Sequence, residues 1–130
     1  MKKIFSIVLR VVAALIMLQT LYFKFTGAEE SVYIFTTVGI EPWGRIGTGV
    51  AELIASILLL ITGTIVLGAA MTIGIMAGAI ATHLFILGIQ VQGDGGQLFA
   101  YAMIVLVASI LLLFIHYDQL LDFKKKLLKQ

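Results

Sequence analysis

Residues 98–115 read LFAYAMIVLVASILLLFI, 18 residues without a charge. As a helix they cover about 27 Å at 1.5 Å per residue, close to the roughly 30 Å of hydrocarbon in a bilayer. Three further stretches have the same character: about residues 4–25, interrupted by Arg10; 46–67, interrupted by Glu52; and 69–89, whose ionisable residue is His83. With 98–116 as the fourth, these spans consume most of the 130 residues. Composition agrees, since 61% of the chain is apolar and 12% charged, against about 45–50% and about 25% in a soluble domain. The expected fold is all-α and polytopic: one domain, 1–130, built as a four-helix transmembrane bundle. A short amphipathic segment within 26–44 joins the first two spans, a turn near Gly68–Ala70 the next two, and a loop over 90–97 the last two.

Met1-Lys2-Lys3 followed by a long apolar run, with Thr26-Gly27-Ala28 after it, also has the outline of a cleavable leader. The run is long for a leader core and ends in Lys24, so a retained helix is expected. Positive charge sets the orientation. Lys2, Lys3 and Arg10 lie at one end of the chain and Lys124, Lys125, Lys126 and Lys129 at the other, whereas Glu29, Glu30, Glu41 and Asp94 fall between spans. Both termini are therefore expected on the cytoplasmic side of the plasma (cell inner) membrane, which needs an even number of crossings. Trp43, Tyr22, Tyr33 and Tyr101 fall near the outer interface and Tyr117 near the inner one, as an aromatic belt requires. The net charge of +2 comes mainly from the tail, which reads as an anchor on anionic membrane lipid and not as a nucleic-acid site. Arg10, toward the cytoplasmic end, is expected to snorkel to the headgroups.

Gly74-Ile75-Met76-Ala77-Gly78, extended by Ala70 and Thr82, has the small-residue spacing that lets helices approach closely in lipid. Gly47, Gly49 and Gly63 can do the same. The motif either packs the monomer, which is favoured, or forms the face of a homo-oligomer.

Ionisable groups inside spans cost at least about 2.5–3.5 kcal/mol and normally turn inward to a partner. Counting from the span ends, Glu52, His83 and Gln19 each lie roughly 9 Å below the outer surface, with Lys24 at the mouth and Tyr101 entering from the same side. Two uses are open. Glu52, His83 and Lys24 form a proton-handling or headgroup-binding layer with Gln19 and Tyr101 as hydrogen-bond donors; or Glu52 pairs with Lys24 or Arg45 and the layer only fixes helix register. A carboxylate in a dry bundle is pushed up by desolvation and down by a cation, so a neighbouring imidazole can share its proton near neutrality.

With no cysteine in the chain, thiol exchange, thiolate-ligated clusters and c-type haem are excluded. The two histidines, His83 and His116, sit near opposite faces and cannot share one metal. Neither a phosphate loop nor a serine triad is present: Ser56 and Ser109 have no evident base beside them.

The order of several short pieces resembles the DoxX family of small four-helix membrane proteins. They are Lys24 closing span one, Phe35-x-x-x-Gly39-x-x-Pro42 in the connecting segment, Glu52 in span two and His83 in span three, over about residues 4–117. Leu21 stands where members often place a glycine. The resemblance implies a membrane subunit linked to thiosulfate:quinone oxidoreduction or to oxidative-stress complexes, and distant relatives include an assembly chaperone. From it come two expectations. One is an accessory subunit of a membrane redox system, working with a redox partner subunit and binding quinone or lipid through the outer-half layer. The other is a non-enzymatic helper that binds the transmembrane helices of a client membrane protein. No covalently bound cofactor and no metal is expected, and whether the chain is itself an enzyme is left open.

Overall fold

The computed structural model describes residues 2–129 and, in that range, is helical throughout apart from its connections. The elements are α1 (Lys2–Thr26), α2 (Glu29–Val38), α3 (Trp43–Leu60), α4 (Ile65–Thr82), α5 (Gln97–Ile115) and α6 (Tyr117–Leu128). Among the described residues, α1, α3, α5 and α4 with its C-terminal extension are long and apolar enough to cross a membrane. They form a square in which α1 packs on α3, α3 on α4, α4 on α5, and α5 closes on α1. Outward residues such as Val8, Leu15, Ile54, Ile57, Val107 and Phe114 are exposed, the surface lipid would cover.

The two ends of the square differ. Toward the chain termini it is solid: Ala13, Met17, Ala55, Leu59, Ile65, Ala69, Val105, Ala108 and Leu112 are buried there. Two interior hydroxyls are absorbed by their own helices, Ser56 donating to Glu52 O (2.8 Å) and Thr72 to Gly68 O (2.7 Å). This is the i−4 back-bond that keeps a hydroxyl satisfied without a partner helix. The buried Ser109 Oγ has no partner among the described residues. Toward α2 the square is hollow.

The turn between the second and third spans lies at Ile61–Thr64, not at Gly68–Ala70. The second span thus ends at Leu60 instead of 67, and the third begins at Ile65 instead of 69. Hydropathy hides this break because Ile61 and Ile65–Leu67 flank it with apolar residues. Gly68 has another use: a Cβ there would lie 2.7 Å from Leu59 N and 2.9 Å from Leu58 Cβ, so its missing side chain lets α4 lie against α3.

A helix end in a bilayer leaves its last carbonyls without water, and here other parts of the chain supply the donors. Thr64 Oγ1 donates to Leu58 O (2.8 Å). Arg10 donates from Nε to Leu59 O (2.5 Å) and from Nη2 to Leu60 O (2.9 Å). Arg10 therefore does not snorkel away from the bundle; its guanidinium caps α3 from α1, where positive charge also suits the helix dipole. Gln119 of α6 bridges the same turn, donating to Thr62 O (3.0 Å) and accepting from Val66 N (3.2 Å). Ser6 and His116 Nε2, 2.7 Å apart, join the start of α1 to the α5–α6 junction. Burial, with Arg10 and then Lys2 nearby, holds the His116 imidazole below its ordinary value.

At the opposite end, α2 stops at Gly39, whose φ of 91° suits glycine and whose N–H reaches Phe35 O and Thr36 O. Arg45 ties this segment down: it pairs with Glu41 (2.9 Å) and donates to the Lys24 carbonyl at the end of α1. The basic tail forms α6, an amphipathic helix with Lys124, Lys125 and Lys126 exposed.

Replacing Arg10 by alanine should remove charge-assisted bonds worth about 2 kcal/mol and lower the melting temperature in detergent. Arg10→Lys should recover only part of the loss, because an ammonium cannot fork between two carbonyls as a guanidinium does. Equal melting of wild type and both variants would show that the cap contributes nothing.

Candidate functional site

The hollow half of the square is a cavity of about 640 Å³ reached by all four long helices. Helical spacing selects the side chains that enter it, since residues three or four apart share a face. On α1 these are Thr20 and Lys24; on α3, Thr48 and Glu52; on α4, Gly74, Gly78 and Thr82; on α5, Gln97 and Tyr101. Ile34, Phe35 and Val38 of α2 complete the wall. Because α2 touches α1, α3 and the segment after α4, it lies as a roof over this end of the bundle.

Glu52 is 3% exposed and its oxygens are divided. Lys24 Nζ lies 2.8 Å from Oε1, and the Thr20 hydroxyl, 2.8 Å from Met17 O, reaches Oε2 at 3.2 Å. Taking a carboxylate out of water is affordable only with such a partner and with its lone pairs bonded. Of the two cations considered for Glu52, Lys24 is the one in contact; Arg45 belongs to Glu41.

His83 sits where α4 ends. Over His83–Leu87 the chain widens into a π-turn, a form that often marks functional sites. Gly88 N donates to His83 O at 2.6 Å and the imidazole Nδ1 lies 3.0 Å from Gly88 O. His83 is 6% exposed, and its ring meets Phe99 edge-on with centroids 5.7 Å apart.

All five residues selected from the sequence, Glu52, His83, Lys24, Gln19 and Tyr101, line this one cavity. Their contacts differ from expectation in two places. The imidazole bonds to its own turn, and no hydrogen bond joins it to Glu52. Gln19 is exposed and has no side-chain hydrogen bond among the described residues; Thr20, one position and 100° further round the helix, is the donor to Glu52. Thr20 was legible from its place four residues before Lys24. Tyr101 OH accepts from Gln97 Nε2 at 2.9 Å. The glycine motif also has a different use. A Cβ on Gly47, Gly74 or Gly78 would meet nothing within 4 Å, and all three line the cavity. Within this chain they hold space open and do not bring two helices into contact.

Two carboxylates stand at the rim. Glu30 of α2 lines the cavity, and burial, with the Asp94 charge as lesser cause, raises its carboxyl above the ordinary value. Asp94 organises the 90–97 loop, Oδ1 accepting from Val91 N (3.1 Å) and Gly96 N (2.8 Å) and Oδ2 from Leu98 N (3.3 Å). Burial raises its carboxyl, but the backbone donors outweigh that and hold it below the ordinary value. Among the described residues no group of three His, Asp or Glu side chains is placed to hold a metal.

Fold and site together define a multi-pass helical membrane protein with a polar-ended cavity in one half of its bundle. Residues 8–112 match the model of the DoxX-like family, and the chain belongs to that family. Comparisons with curated proteins and with solved structures gave no match.

Breaking the buried pair from either side should cost about 3 kcal/mol or more. Lys24→Met and Glu52→Gln should each unfold at lower denaturant in mixed micelles, and the double variant should regain most of the difference. A double variant as unstable as the sum of the singles would refute the pairing. For Asp94, a depressed folded-state value means its contribution is complete above its ordinary value of 3.8 and is lost as pH falls through the lower folded value. Hydrogen exchange at the Gly96 and Leu98 amides should accelerate across that acid window and in Asp94→Ala at neutral pH. Unchanged protection in both would exclude this role.

Proposed function

We propose that the chain is an accessory subunit of a membrane redox system and binds a quinone or another apolar molecule with an oxygenated head. The observation that carries this reading is the cavity itself. Its volume of about 640 Å³ lies within the roughly 300–1,000 Å³ usual for small-molecule sites. Its walls are largely aliphatic and aromatic by area, with polar side chains set among them, Lys24, Glu52, His83 and Tyr101 included. An apolar body would lie along the space that Gly74 and Gly78 leave open. The head would reach Lys24, Glu52, His83 and Tyr101. A quinone bound there would supply electron transfer; this chain's residues would bind it, orient it and hold protons at Glu52 and the His83 imidazole.

The alternative role, an assembly helper that receives partner helices, drew on the small-residue face of α4. Gly74 and Gly78 face the cavity, so that feature now favours a ligand. Plasma-membrane residence with both termini cytoplasmic fits this reading, because Ser6 and His116 already place the two termini at the same end of the bundle. Exposed lysines on α6 suit anionic lipid on that side.

The test is solvent extraction of the purified protein followed by mass spectrometry, with Glu52→Gln and His83→Ala alongside. Wild type should carry a stoichiometric apolar ligand with an oxygen-bearing head. Each variant should insert in the membrane but retain roughly ten-fold less, a loss of about 1.4 kcal/mol. Wild type without such a ligand, or copurifying one-to-one with a membrane protein instead, would overturn the proposal.

A further inference from the structure

A neutral imidazole has one donor nitrogen and one acceptor nitrogen, and a hydrogen bond at one fixes the role of the other. At His83 the partner is a carbonyl. Gly88 O can only accept, so the 3.0 Å contact places the proton on Nδ1. Nδ1–H donates, and Nε2 keeps its lone pair. The local backbone makes this assignment hard to reverse. Gly88 N–H is already given to His83 O, and Gly88 has a φ of 83°, a region L side chains rarely adopt. Residue 83 and residue 88 thus hold each other twice, once by backbone and once by side chain. Phe99 packs edge-on against the ring.

Nε2 has no hydrogen-bond partner among the described residues; His83 as a residue is 6% exposed and lines the cavity. Nε2 is not one of the sealed, unpartnered polar atoms among the described residues, so it is open to a donor from the cavity that His83 lines. No other cavity side chain is hydrogen-bonded to Nε2. Lys24 and Thr20 are engaged with Glu52. Tyr101 OH already accepts from Gln97, which leaves its own proton to give into the cavity. The cavity therefore offers Nε2 as an acceptor whose tautomer is fixed, with the Tyr101 hydroxyl and the Gln19 amide as available donors.

We infer that the cavity recognises a hydroxyl group on an apolar body, its O–H donating to His83 Nε2; this rests on the ligand-binding reading of the cavity given above. A hydroxyl can give one hydrogen bond and accept another, whereas a quinone carbonyl or an ether can only accept and would face the Nε2 lone pair unpaired. Selection is then for the reduced, hydroxyl-bearing state of a redox lipid, or for a glycerolipid with a free hydroxyl. Both sources share the chemistry.

The experiment uses the full chain in detergent and calorimetric titration with matched probes. One series is a hydroquinone with a decyl tail, its dimethyl ether and the oxidised quinone. The other is a short-chain diacylglycerol and its methyl ether. In whichever series binds, the hydroxyl member should bind at least ten-fold more tightly than its ether, and the hydroquinone more tightly than the quinone. His83→Phe should bring each pair within about two-fold, and His83→Gln, which restores an acceptor, should return part of the preference. The comparison on unmodified protein decides the matter even if a variant fails to fold. Hydroxyl and ether binding equally, or the quinone binding more tightly, would overturn the inference while leaving the ligand-binding cavity standing. Binding of neither series would overturn the cavity reading itself. A ¹⁵N spectrum of the ligand-free protein should show His83 protonated at Nδ1; protonation at Nε2 alone would also overturn the inference.

Discussion

A carboxylate inside a bundle surrounded by hydrocarbon has to be neutralised from within the bundle, and Glu52 is that carboxylate. With 3% exposure it has little recourse to solvent, so its partners must come from a neighbouring helix at the same level. Lys24 and Thr20 of α1 do this, four residues apart on one face. The consequence is a fixed rotation and height of α1 against α3. Once those two are in register, α4 follows α3 through a short turn and α5 closes the square. Desolvation also explains why the Lys24–Glu52 contact sits on the wall of the hollow half. A fully packed surrounding would raise the cost of both charges, while a cavity lets polar groups share one space.

Glycine is used in opposite ways in the two halves. In the solid half, Gly68 gives up its side chain so that α3 and α4 can touch, and a Cβ there would meet Leu59 N at 2.7 Å. Two and three turns further along the same helix, Gly74 and Gly78 face open space. Glycine on one helix thus serves close packing at one level and cavity formation at another. Which of these a glycine does depends on what the facing helix presents, and one helix's spacing carries no record of that.

This marks how far the sequence could be read. The spans at α1 and α5 were legible to within about two residues because charge or glycine bounds them. The α3–α4 boundary was not, because Ile61 and Ile65–Leu67 continue the apolar run through Thr62-Gly63-Thr64, and only the hydrogen bonds of Thr64, Arg10 and Gln119 show where the chain reverses. The polar layer was legible because ionisable groups in apolar runs are rare enough to count; all five residues selected that way line one cavity. Their pairings were less so. Counting depth places Gln19 and Thr20 at the same level, and only helix rotation decides that Thr20 meets Glu52. The bond from His83 to Gly88 depends on a π-turn, which no propensity pattern in Leu84–Leu87 announces.

Side chains hold several helix ends: Arg10 and Gln119, from distant segments, at the α3–α4 turn, Arg45 at the end of α1, and Asp94, from the adjoining loop, at the start of α5. In a four-helix bundle with one half hollow, apolar packing can secure only the other half. Lipid adds no hydrophobic force between helices, so contact and hydrogen bonding have to hold them. Tying the ends restrains the helices without filling the space between them. The cavity is therefore compatible with a defined fold because its rigidity is supplied at the rim and at the far end.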